Sequence, residues 1–197
     1  MIITDGSGSG YDAKVDSEGN LHSRAVRTHE VTYASLKGES FNAPYGSFTL
    51  TSATESALSY FLWADTVNPC SIYRQLLSFG PSTGGAGLCR LRMVRNPTGG
   101  TLISGGTAVT SVNNNFSNSA LAPGTWLKGA QGSTVTGGTT ILDVGIGPNY
   151  VLNVTDINWI LANGNSLAVA VTPPAGNTSM AVYLLDQFYK VNSALVL

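Results

Sequence analysis

The 197-residue chain carries 43% apolar and 11% charged side chains. Soluble domains average about 25% charged, so this chain can bury a core but must build its surface from Ser, Thr, Asn and Gly. A net charge of −1 excludes a field able to steer nucleic acid and removes the repulsion that keeps copies apart. No run approaches the roughly 20 apolar residues of a membrane helix, and residues 1–10 lack the basic-then-apolar order of an export signal. Cys70 and Cys89 are therefore expected as reduced thiols of a cytoplasmic protein.

Residues 1–40 hold ten of the charged side chains, Arg24 and Arg27 among them, whereas residues 96–197 hold five. The first segment sustains an apolar period of neither 2 nor 3.6 and reads as an extended N-terminal arm; residues 41–197 read as the folded domain. Strand signals then come at short intervals. Ser47–Thr51 alternates, with Phe48 and Leu50 on one face. Tyr60–Ala64 is an apolar run suited to a strand covered on both sides, and Ile72–Phe79 follows. In Leu88–Arg95, Cys89, Leu91 and Met93 share one face while Arg90 and Arg92 point the other way.

Further strands are predicted at Leu102–Ile103, Ala108–Val112, Thr125–Leu127, Thr139–Val144 and Ile157–Leu161. Ser166–Thr172 sends Leu167, Val169 and Val171 inward, and with Ser179–Phe188 it reads as a hairpin across Pro173-Pro174-Ala175-Gly176-Asn177. Gly-Gly pairs at 84, 99, 105 and 137 mark turns. The only helix expected is one short turn near Thr54–Leu58. The pattern predicts an all-β fold, a jelly-roll-like antiparallel β-sandwich preceded by the arm.

Catalytic and metal-binding signals are weak. His22 and His29 lie in the arm, and neither they nor the cysteines have ligand spacing, so no metal or cofactor is expected. Residues 12–20 imitate a calcium loop but place Lys14 at the third position and Ser23 at the twelfth. Gly6–Gly10 is no nucleophile elbow, since the order G-x-S-x-G is missing. Asp143, Asp156 and Asp186 read as turn or strand-end aspartates rather than a hydrolytic pair. No catalytic residue is assigned and no enzyme is expected. Asn115, Asn153 and Asn177 open glycosylation-type triplets explained by composition alone.

Trp63, Trp126 and Trp159 default to core positions, with Trp126, flanked by loop residues, the one best placed for a glycan or subunit contact. Arg90 and Arg92 are read as solvated strand residues or as partners for a neighbouring chain's carboxylates. Arg24, Arg27, Arg90, Arg92 and Trp126 form the candidate interface set.

The run from Asn96-Pro97-Thr98-Gly99-Gly100-Thr101 through Asn113-Asn114-Asn115-Phe116-Ser117 resembles a segment of virion structural proteins of tailed bacteriophages. So do Ile3-Thr4-Asp5-Gly6, Ala13–Leu21 and the turn around Thr172-Pro173-Pro174. The resemblance implies a jelly-roll capsid decoration (cement) protein, typically a homotrimer, assembled in the host cytoplasm. Its expected partners are further copies and a major capsid protein or another virion subunit, with no nucleic acid and no membrane. A tail, collar or head-fibre component is the alternative within that class, and a carbohydrate-binding jelly roll for host attachment is the alternative outside it.

Overall fold

The chain divides into two compact units, residues 1–30 and 31–197. The computed structural model describes Ile2–Thr4, Asp12–Val15, Leu21–His22 and residues 30–191, with side chains from residue 31 apart from 154–158. In the first unit β1 (Ile2–Thr4), β2 (Asp12–Val15) and β3 (Leu21–His22) pair antiparallel with β2 central. The segment read as a plain extended arm thus carries a small sheet of its own.

The second unit opens ten residues earlier than the sequence pattern places it, because residues 30–37 form a helix. This α1 (Glu30–Lys37) buries Ala34 and sets Lys37 over the Tyr33 ring, one turn back. It stops at Gly38, whose φ of +72° is left-handed. The N–H of Gly38 donates to the Ser35 carbonyl and that of Glu39 to the Ala34 carbonyl, the paired bonds of a Schellman cap. A Cβ at Gly38 would also run into the Asn118 side chain. Gly38→Ala should therefore cost about 1–2 kcal/mol in a urea unfolding series, and an unchanged midpoint would show that the cap is dispensable.

The sandwich is built from β4 (Ser40–Leu50), β5 (Ser56–Trp63), β6 (Cys70–Thr83), β7 (Cys89–Arg95), α2 (Thr101–Gly105), β8 (Thr107–Ala108), β9 (Val112–Asn113), β10 (Gly124–Lys128), β11 (Thr139–Ile146), β12 (Val151–Leu161), β13 (Ser166–Thr172) and β14 (Ser179–Lys190). One sheet runs β12-β6-β14-β4-β9 and the other β11-β7-β13-β5-β10-β8, with antiparallel pairing. Take β4, β5, β6, β7, β11, β12, β13 and β14 as first to eighth. The sheets then read first-eighth-third-sixth and second-seventh-fourth-fifth, the wrapping of a jelly roll. The segment between β7 and β11 extends one side of the barrel-like wrap, adding β9 beside β4 and β10 beside β5.

β13 and β14 are not a hairpin. They belong to different sheets, and the loop 173–178 carries the chain across the core. Pro173 and Pro174 have no N–H to donate, so a two-strand ladder cannot close there. Instead Asn177 turns inward and donates from Nδ2 to the Leu50 carbonyl at 2.9 Å. Leu102–Ile103 is helical rather than extended, and its Leu102 plugs the small-residue outer face of β13 beside Ala168 and Ala170. Residues 54–58 form no helix; Ser56 already begins β5.

The faces of the other strands follow the sequence pattern. Phe48 and Leu50 are buried together, as are Cys89, Leu91 and Met93, and both faces of β5 are covered. Cys70 and Cys89 are free and buried, and burial pushes both thiols up from their ordinary pKa.

Candidate interaction surface

Asp186 is where the interior departs most from an apolar core. It holds the inward position between Leu184 and Phe188 on β14, in mid-strand rather than at a strand end, and is 1% exposed. Gln75 lies opposite it on β6, and Tyr45 approaches from β4, where Gly46 (φ +74°) marks the break in register. Burial pushes the Asp186 carboxyl up to about 7, although Gln75 and Tyr45 favour its charged form. The Tyr45 hydroxyl, both polar atoms of Gln75 and Oδ1 of Asp186 face one another without completing good hydrogen bonds. This cluster is sealed between the sheets and has no opening for a substrate. Among the described residues no group of three or more His, Cys, Asp or Glu could hold a metal ion.

Among the described residues, the sequence-derived interface positions Arg90, Arg92 and Trp126 do not form one surface. Arg24 and Arg27 lie outside the described residues. Arg90 and Arg92 do point away from the core, but both find carboxylates within the chain. Arg90 donates from Nε to Asp143 at 2.7 Å, and Arg92 from Nε to Glu55 at 2.9 Å, each in a two-pronged pair. These pairings satisfy locally the charges expected to seek a neighbour. Trp126 is 4% exposed, stacked on Phe61 and Phe188 at centroid distances of 5.3 and 5.4 Å. A ring enclosed in that way cannot serve as a glycan platform or a subunit contact.

Exposed apolar side chains gather instead at the two opposite edges of the sandwich. At one edge the outer strands β11 and β12 face solvent. Ile141, Trp159 and Ile160 line a groove of about 440 Å³ together with Arg95. Val144 and Tyr150 line a second one of about 320 Å³ further along, and Leu88 leans against Gly145 beside it. β11 has neither Lys nor Pro, the residues that usually blunt a free edge. At the other edge Tyr33 and Leu36 of α1 stand exposed with Val112, Phe116 and Leu121. Asn115 ties that loop to α1 by donating to the Leu36 carbonyl, and Phe116 at its tip is 95% exposed. Sequence periodicity missed both edges, because exposure of an apolar residue on an edge strand leaves no mark in the alternation.

The strand order defines the class: this is a jelly-roll β-sandwich. No family model matches the chain, and no curated protein matches it. Among solved structures it is similar to the D431N mutant VP2 protein of infectious bursal disease virus, in derived T=1 particles. The match has 15% identity and a TM-score of 0.22, and covers 80% of this chain and 41% of that one. The chain thus spans well under half the length of that protein. No described helix is long and apolar enough to cross a membrane.

Proposed function

We propose that the protein is a non-enzymatic structural subunit of a virus particle, and specifically a capsid decoration protein of a tailed bacteriophage that binds the outer capsid as a homotrimer. The observation that carries this reading is a jelly-roll body whose two opposite edges expose apolar side chains, while Arg90 and Arg92 are neutralised internally. Such edges desolvate cheaply and suit association with many identical neighbours. The phage resemblance of the Asn96–Ser117 run supports the same class. In the structure Asn96 (φ +49°) holds that turn through Asn165 and the Ser166 N–H.

The charged first segment, with Arg24 and Arg27, is assigned the capsid contact. Full-length protein should co-sediment with particles stripped of it, and Arg24→Glu/Arg27→Glu should reduce that binding on the order of tenfold or more while leaving the oligomer intact. Equal co-sedimentation of the double variant would remove the capsid role of this segment. Absence of wild-type binding to any particle fraction would remove the decoration reading itself.

A further inference from the structure

Asn163 is the one asparagine in the chain that a glycine follows. A following glycine has no Cβ to obstruct attack of its own nitrogen on the asparagine side chain, the reaction that turns asparagine into an acid without any enzyme. Asn163 and Gly164 are exposed on the loop between β12 and β13. The Asn165 N–H donates to the Ala162 carbonyl at 3.0 Å and Gly164 has a φ of +78°, which makes residues 162–165 a type II turn. The attacking nitrogen is engaged, however. The Gly164 N–H donates to the Trp63 carbonyl at 2.9 Å, and the Trp63 N–H donates back to the Asn165 carbonyl at 3.0 Å. A side-chain clasp holds the same turn: Asn96 donates from Nδ2 to Asn165 Oδ1 at 2.9 Å and accepts from the Ser166 N–H at 2.8 Å.

We infer that Asn163 is a modification site of this chain, converted to aspartate and isoaspartate only while the bond from Gly164 to Trp63 is open. In the open turn the Gly164 nitrogen loses its proton to water and attacks Asn163 Cγ. The Cγ–Nδ2 bond breaks and ammonia leaves, giving a succinimide, and water then opens that ring at either carbonyl. The ring nitrogen of the succinimide carries no proton, so the bond to Trp63 cannot survive the step. The fold therefore opposes the reaction twice, by occupying the N–H and by fixing the turn that ring closure must rearrange. Isoaspartate also lengthens the main chain by a methylene within the turn. Asn165 could not then keep its bonds to both Trp63 and Asn96, and modification would loosen the end of the sandwich where β5, β7 and β13 meet.

Peptide mapping by mass spectrometry tests the gate on the full-length chain, incubated at mildly alkaline pH either folded or in urea. Loss of the Asn163 amide should be slower in the folded protein on the order of tenfold or more, since the reaction draws only on the open fraction. In urea Asn163 should be lost ahead of Asn118, whose neighbour is Ser119. Asn96→Gly tolerates the positive φ at that position and removes the clasp. With the variant folded by circular dichroism, its Asn163 loss should rise several-fold in the folded state and stay unchanged in urea. Hydrogen exchange at the Gly164 amide should accelerate by the same factor. Equal rates for folded and unfolded wild type, or an unchanged folded rate in Asn96→Gly, would overturn the inference.

Discussion

Wild-type protein should lose stability as pH rises from about 4 to 7, and Asp186→Asn should abolish that loss. In the folded state burial raises the Asp186 carboxyl to about 7 from an ordinary 3.8. A carboxyl whose folded pKa is raised binds its proton more tightly when folded. Its effect is nil below the unfolded value, grows as destabilisation through the window between the two, and is complete above the folded value. One pKa unit is about 1.4 kcal/mol, so the shift corresponds to roughly 4 kcal/mol, an order-of-magnitude ceiling for the cost of holding a carboxylate in this core.

Of the groups that face Asp186, Tyr45 and Cys70 are pushed upward by burial and by the carboxylate itself, so neither titrates in that window. Asp65 behaves in the opposite sense. Burial raises its pKa, but the Lys190 hydrogen bond and the Asn68 and Val67 N–H groups outweigh that and hold it low. Its contribution is lost only as pH falls through the acidic range. Chemical denaturation at several pH values should thus show a stability maximum on the acid side for the wild type. The asparagine variant should show a flatter curve and greater stability at pH 8. Parallel curves for the two proteins would mean that the carboxyl reaches water and that the core is looser than its packing indicates.

What was legible in the sequence followed from periodicity. Where one face of a strand is covered, burial alternates with period 2, and Cys89-Arg90-Leu91-Arg92-Met93 announces its orientation without help. The jelly roll is implied by the succession of such strands, but the pairing order is not. The β13–β14 connection shows why: a loop of Pro and Gly looks the same whether it joins neighbours in one sheet or crosses between two. α1 escaped because it buries little beyond Ala34 and leaves no apolar stripe, although Gly38 after Lys37 was a readable stop signal. Asp186 was legible in principle, as an acid occupying an inward position of a strand. The candidate surface was not, because an edge is a property of sheet order, and sheet order is a long-range fact.

Trp126 gives the clearest division between a binding site and a core. If the indole served a glycan, Trp126→Ala would abolish binding and spare stability. The structure requires the reverse. The ring stacks on Phe188, which also contacts Phe41, Phe61 and Trp63, so five aromatics from β4, β5, β10 and β14 form one cluster spanning both sheets. Gly124, two residues before the ring, makes room for it. A Cβ at Gly124 would meet the Leu62 carbonyl and the Trp126 ring itself, so Gly124 is there to let the indole lie down against the backbone. Truncating such a ring leaves a cavity between sheets that cannot close on it, costing about 3–5 kcal/mol. For a domain of this length that is a fall in melting temperature of roughly 10 °C. Trp126→Phe should cost far less, about 1 kcal/mol or below. It keeps most of the stacking and removes an indole N–H that has no acceptor in the core. Calorimetry of the two variants decides the matter: a large loss for alanine and a small one for phenylalanine follow from packing. Near-equal melting temperatures for wild type and Trp126→Ala would place the ring outside the core.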